Sequence, residues 1–494
     1  MEQKQSLFAL LRGAGYTPCE ASFQEVGSTV YGMLDVEPER ELLIAGALDA
    51  RFSGRRVLIG GQEALLCQKS HENLLALQEV FPWTVPASPQ GHNISMGLGD
   101  RLGLISGAHI QALRGTEVFP VLAQQSKREL NLTGRSNRKM MEDVAWQVFE
   151  AGYTGGYGAD GDHRKTLEEV CDALYDGVTM ITLDCSEHID NDAHLLREAE
   201  AWEDCRALFS AEDLARWTAE YCGKSFPLEG RSVEFTPAVF PQLLLTYARA
   251  VGFAAQVYEQ AIAPCSRKVA FEVSIDETEI DTLPCAHYFV AAELVRRGVV
   301  IESMAPRFYG EFQKGIDYIG DLAQFEAEFA DHVAIAEHFG YRISVHSGSD
   351  KFSVFPYVGR LSHGRFHLKT SGTSWVEAVR VIAACEPALF RRMVPFACAH
   401  FAEARKYYHV TCDPARVPDL REVSDAELPG LMDQIDTRQV MHINYGLLLQ
   451  AKNPDGTPEF RDDIYRVLRA HRAELDEVIC RHIQCHLRTL GLLD

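Results

Sequence analysis

Nowhere in the sequence do about 18 apolar residues follow one another, so no segment reads as a membrane-spanning helix. The N-terminal stretch MEQKQSLFALLRGAGYTP lacks the apolar core of a secretory signal, and a cytoplasmic protein is expected. Cysteine number is odd, at thirteen, and no two cysteines form a C-x-x-C pair, which argues against a disulfide framework and for reduced thiols. Positive charge is scarce as well. Lys and Arg total 48 against 70 Asp and Glu, and the net charge of −22 repels a phosphate backbone, so neither nucleic acid nor a membrane is expected as a partner. The glycines of GLGDRLG (97–103) have neither a Lys-Ser/Thr ending nor G-x-G-x-x-G spacing, and so do not make a phosphate loop. With 46% hydrophobic and 24% charged residues, what remains is an ordinary folded globular chain, whose 494 residues leave open whether it is one large domain or several.

What is present, from about residue 96 onward, is a short apolar run ending in polar residues and followed by a helix-like segment, repeated. Candidate strands cover 96–104, 119–126, 154–162, 178–186, 268–276, 299–308, 341–350 and 365–374. Eight such units predict a closed (β/α)8 TIM-type barrel, an α/β fold. Helix starts with capping-box spacing support the boundaries: Thr166 with Glu169, Asp321 with Gln324, and Ser374 with Glu377. Alternation within the strands adds to this. Val269, Phe271, Val273 and Ile275 share one face, while Ala270, Glu272, Ser274 and Asp276 share the other. Likewise Thr182, Asp184, Ser344, His346, His367, Lys369 and Ser371 fall on presumed inward faces near strand C-termini, where barrel chemistry sits. Residues 1–90 read as an N-terminal extension with short strands, and 91–380 as the barrel core. Residues 187–267 form a helical insertion between the fourth and fifth strands, and 381–494 a helical C-terminal extension packed on the barrel.

His163 follows the third strand and His346 ends the seventh, so the topology brings two imidazoles to one barrel face. A third donor could come from RFYGEFQKG through Glu311 or Gln313, and two imidazoles with an oxygen suit a divalent ion such as Zn, Mn, Fe, Co or Ni. The plainer reading is that each histidine is a structural hydrogen-bonder. Asp162 and Glu272 are the acid–base candidates. Glu272 lies on an inward face and needs a partner there, and a structural ion pair with Lys369 or Arg307 is the competing role. For Asp160 and Asp162 the alternative is an Asx-type turn. The cluster VICRHIQCHL (478–487) suggests zinc, but in a helix Cys480 and Cys485 do not complete a tetrahedron with His482 and His486, so an ordinary helix is expected.

Together the segments GADGDHRKT, TLDCSEHID, FEVSIDETE, APRFYGEFQKGIDYIGD, HFGYRISVHSGSDKFSVFP and HLKTSGTSW resemble the tagaturonate epimerases, metal-dependent (β/α)8 enzymes of hexuronate catabolism that interconvert tagaturonate and fructuronate. The resemblance implies Asp162 as proton acceptor, Glu272 as proton donor, and a divalent metal on His163, Gln313 and His346. It also implies a small-molecule sugar acid as the partner, and leaves the oligomeric state open. Lys127, Arg307, Lys351 and Lys369 are candidate clamps for the substrate carboxylate. The two sugar acids differ at the carbinol carbon β to the ketone. That C–H is not acidified by the carbonyl, so retro-aldol cleavage and re-addition is the expected route. An aldose–ketose isomerase on a similar metal barrel, or a non-catalytic sugar-acid-binding barrel, are the competing functions.

Overall fold

The computed structural model describes residues 2–36 and 39–493. Eight parallel strands close a barrel: β1 (Ile94–Gly97), β2 (Phe119–Ser126), β3 (Gly158–Arg164), β4 (Met180–Asp184), β5 (Ala270–Ile275), β6 (Ser303–Pro306), β7 (Arg342–Val345) and β8 (Phe366–Lys369), with β8 pairing back onto β1. All eight expected strands are therefore in the barrel. The first is shifted, because residues 98–104 leave the sheet. Asp100 accepts the backbone N–H groups of Leu102, Gly103 and Ile105 at 2.9, 2.8 and 2.6 Å, and a carboxylate that binds its own following amides turns the chain away from a ladder.

Inward side chains follow the alternation read from the sequence. Phe119, Val121, Met180 and Ala270 form a separate apolar cluster where the strands begin. One step further along, Thr182 stands level with Glu272 and Glu272 with Ser303, so polarity rises toward the C-terminal ends. Two of the three capping residues act as caps: Thr166 Oγ1 accepts from Glu169 N, and Asp321 Oδ1 from Gln324 N. Ser374 does not cap. Its helix, Thr373–Cys385, starts two residues earlier than that cap would place it, after Gly372 at φ +102°, which leaves the Ser374 hydroxyl inside the helix and bonded to His109 Nε2.

The N-terminal extension is an antiparallel sheet with period-2 faces. Tyr31, Met33, Leu42, Ile44, Leu65 and Cys67 pack on Trp146 and Phe149 of the barrel helix Asn137–Glu150. Leu34, Leu43 and Leu66 face the other way, onto Phe8 and Leu11 of the helix Glu2–Gly13. The 187–267 insertion is mainly helical, but it also holds a two-stranded hairpin, Ser225–Leu228 with Arg231–Glu234. Among the described residues no helix is long and apolar enough to cross a membrane.

The C-terminal extension is fastened to the barrel mouth by buried charge. The last long helix, Arg472–Thr489, turns His482 and His486 onto Asp350, which follows β7. His482 Nε2 lies 2.8 Å from Asp350 Oδ1, and Asp350 N donates to His486 Nε2 at 3.1 Å. Arg438, from the helix Ile435–Ile443, bridges Asp350 at 2.9 Å and Glu377 at 3.0 Å. The histidines of VICRHIQCHL are thus spent on a latch. Burial pushes the Asp350 carboxyl up, but His482 and Arg438 outweigh it and hold the group well below the usual aspartate range. A carboxylate with a depressed folded-state pKa stabilises the fold above its unfolded value, and that contribution is lost as pH falls through the folded value. Asp350→Asn should therefore cost about 3 kcal/mol at neutral pH, because it leaves Arg438 and His482 short of a buried partner. Thermal unfolding followed from neutral to acid pH should show wild type and variant converging at the acid end.

Candidate active site

Lys369, the last residue of β8, stands in the barrel interior among three carboxylates. Its Nζ lies 3.0 Å from Asp160, 2.6 Å from Asp162 and 3.0 Å from Glu272, and it also bonds Thr182 Oγ1. The expected Glu272–Lys369 ion pair is therefore present. Burial opposes the ammonium, but the three acids outweigh it and hold Lys369 well above the ordinary lysine value. Burial likewise pushes Asp162 up, and Lys369 with His163 brings it well below the usual range, so Asp162 is ionised and Lys369 protonated at neutral pH. Asp160 differs. Burial, aided by the charges of Asp162 and Glu272, keeps it above its ordinary value despite Lys369.

Asp160 and Asp162 sit within β3, not in a turn, and share its inward face. Strict alternation would send His163 outward. Instead, four residues of β3 from Gly161 to Arg164 run beside only three of β4 from Ile181 to Leu183, and His163 sits at φ +49° in this bulge. An extra residue in one strand re-aims the side chains next to it, and here it brings His163 to the cavity beside Asp162. Ser347, at φ +51°, is a second strained residue at the mouth, directly after His346.

The rings of His163 and His346 are 5.0 Å apart between centroids. Asp276, just beyond β5, supplies the carboxylate: one donor atom each from His163, Asp276 and His346 lie within 4.8 Å of one another. His346 Nδ1 faces Asp276 Oδ2 at 3.1 Å without hydrogen-bond geometry, while its Nε2 lies 2.8 Å from Glu272. A ring nitrogen aimed at a carboxylate without bonding it, with the other nitrogen held by a second carboxylate, suits a metal-ligating histidine and its supporting acid. Burial pulls the His346 imidazolium down, but Asp276 and Glu272 push it up to about 10, a measure of how rich in negative charge the site is. Two imidazoles and a carboxylate could hold a borderline divalent ion.

The remaining expected residues divide. Gln313 is buried and lines the cavity, but its Oε1 already accepts from Thr411 N and Oγ1 at 3.0 Å each, and Glu311, exposed, takes its Nε2. Arg307 lines the cavity, held by Thr278 O and 3.6 Å from Asp281. Lys351 does not line it. Its Nζ donates to the carbonyls of Gln313, Ile316 and Ser349 at 2.7, 2.6 and 2.8 Å and so ties the loops after β6 and β7 together. Lys127 is exposed and outside the lining. Glu272 is fully buried and lies beneath the floor, in contact with Lys369, His346, Thr182 and Ser303. Asp276 was not among the candidate donors read from the sequence, although the alternation places it on the inward face of its strand. Arg128, Lys314 and the 407–409 segment, which also line the cavity of about 330 Å³, carried no sequence signal.

The sequence model of the tagaturonate epimerase family, UxaE, matches residues 19–490. The chain belongs to the tagaturonate epimerase family. The tagaturonate/fructuronate epimerase of Thermotoga maritima is 39% identical over 481 residues, covering 97% of this chain and 98% of that one. A glycerol-complexed crystal structure of the fructuronate-tagaturonate epimerase of Cohnella laeviribosi is similar with a TM-score of 0.95 at 45% identity, over 99% of this chain and 100% of that one; the native crystal structure of the same enzyme gives 0.94. As a member of the tagaturonate epimerase family, this chain is an isomerase of the epimerase kind, on a closed eight-stranded barrel.

The donor geometry makes a specific prediction for this epimerase. Asp276→Ala should lower the divalent-ion content of dialysed protein at least tenfold, as measured by elemental analysis. Gln313→Ala should lower it less, because that amide is already engaged by Thr411.

Proposed function

We propose that the chain interconverts D-tagaturonate and D-fructuronate at the carbinol carbon β to the ketone, by retro-aldol cleavage and re-addition with a divalent ion bound. The observation that carries this reading is the Asp162–Lys369 pair, 2.6 Å apart and facing the cavity beside His163, Asp276 and His346, in a chain of the tagaturonate epimerase family. When bound to those three residues, the ion supplies Lewis-acid polarisation of the substrate's ketone oxygen.

The chain's own groups handle the proton. Asp162, ionised, takes the hydroxyl proton from the β carbon. The bond between the α and β carbons then breaks, with its electron pair moving toward the ketone; the products are a three-carbon enediolate and an aldehyde. Rotation of the aldehyde presents its other face, the bond re-forms, and the new alkoxide is protonated. Lys369, protonated and 2.6 Å from Asp162 at the cavity floor, delivers that proton. The hydrogen bond from Lys369 to Asp162 returns the first proton and resets the pair. Glu272, the donor implied by the resemblance, acts from beneath. It sustains the Lys369 charge at 3.0 Å and orients His346 at 2.8 Å, and both of these groups reach the cavity.

Tagaturonate labelled with deuterium at the inverted carbon should keep its label through turnover, since that C–H bond is never broken; wash-out into solvent would exclude the route. Chelation should abolish formation of fructuronate and a divalent ion should restore it. Asp162→Asn should lower kcat about 10²–10⁴-fold, in line with the loss of a positioned acid–base group. Absence of turnover with any divalent ion would remove tagaturonate as the substrate.

A further inference from the structure

The cations around the cavity differ in what already holds them. Lys369 is enclosed by three carboxylates, Lys351 is spent on three backbone carbonyls, and Arg307 is held by Thr278 O and Asp281. Arg128 and Lys314 line the cavity, and among the described residues neither has a carboxylate oxygen within 4.0 Å. Arg128 donates to Tyr407 O at 3.0 Å, with its guanidinium 4.6 Å over the Tyr408 ring. Lys314 Nζ donates to Ser347 Oγ at 3.2 Å. Glu129, the acid whose charge bears most on Lys314, is committed elsewhere: Arg101 holds its Oε1 at 2.8 and 2.5 Å, and Ser371 donates to both of its oxygens. Two basic side chains, neither with a carboxylate at ion-pair distance, face one cavity in a protein of net charge −22; burial outweighs the more distant charges of Glu129 and Glu277 and lowers the Lys314 pKa, so an anion beside it is the partner that would hold it protonated.

We propose that Arg128 and Lys314 form the anion subsite that holds the substrate's carboxylate. This rests on the sugar-acid reading above and deepens it. In a ketohexuronate the carboxylate lies two carbons beyond the inverted carbon, so after cleavage it stays on the aldehyde fragment. A charge clamp there retains that fragment while its aldehyde turns over. It also gives a reason for a six-carbon acid to be preferred over a neutral ketose, which has a hydroxymethyl group at that end.

Calorimetric titration of the full-length, metal-replete protein with D-galactonate and with galactitol tests the subsite, because the two linear ligands differ only in the carboxylate. Arg128→Met and Lys314→Met should each raise the Kd for galactonate about 10- to 100-fold, in line with charge-assisted hydrogen bonds, and leave galactitol within about twofold. Lys314→Arg should recover most of the galactonate affinity, which a folding defect would not allow. Equal weakening of both ligands, unchanged galactonate binding, or no recovery with Arg would overturn the proposal. The contrast is read from binding alone. A wild-type protein that fails to turn over tagaturonate would therefore refute the substrate reading without deciding the subsite.

Discussion

The Lys369 ammonium, held at 2.6–3.0 Å from Asp160, Asp162 and Glu272, is the contact on which the rest of the site depends. Buried carboxylates at such spacing repel one another strongly, and none could stay ionised without a cation between them. One ammonium against three acids still leaves an excess of negative charge. The barrel absorbs part of it by keeping Asp160 above its ordinary pKa, and part through hydrogen bonds from Thr182 and Ser303. The remainder faces His163 and His346, together with Asp276, and a divalent ion at those three donors would neutralise it. The acid–base pair and the candidate metal donors are thus two parts of one charge balance.

That balance needs rigid walls, and the C-terminal extension supplies them. Asp350 is gripped by Arg438, His482 and His486, four residues after His346. Lys351, next to it, pins the carbonyls of Gln313 and Ile316. The loops after β6 and β7, which carry Gln313, Lys314, His346 and Ser347 into the cavity, are therefore clamped to each other and to helices more than 80 residues away in sequence. The strained backbone at Ser347 and Asp350 persists because these contacts over-determine it, while His163 is held in the β3 bulge with its ring against Asp162. From the same extension, Tyr407 and Tyr408 hold Arg128 against the mouth. The helices outside the barrel are in this sense part of the site's support, and a substitution far from the chemistry can loosen it.

Much of this was legible in the sequence. Eight strand patterns gave the barrel, because a period of two with polar residues at strand ends survives without any knowledge of contacts. The same alternation marked Glu272, His346 and Lys369 as inward. It placed Asp276 inward too, but nothing local singled out that carboxylate, beside Gln313 and Glu311, as a candidate metal donor. Ser374 is not the cap because Gly372, through its left-handed φ, starts the helix two residues earlier than the serine spacing implies.

The sequence by itself determined the closed barrel, its polar end and the residue types that gather there, since these follow from periodicity and from the cost of burying an unpaired charge. Only the tertiary structure decided which of them meet. A bulge in β3 turned His163 inward against its alternation. Depth in the barrel put Glu272 beneath the floor and left Lys369 facing the cavity. Long-range partners spent Lys351 on carbonyls and left Arg128 and Lys314, among the described residues, with no carboxylate at ion-pair distance. Bulges, depth and competition for partners arise from strands and loops distant in the chain, and no local pattern of residues encodes them.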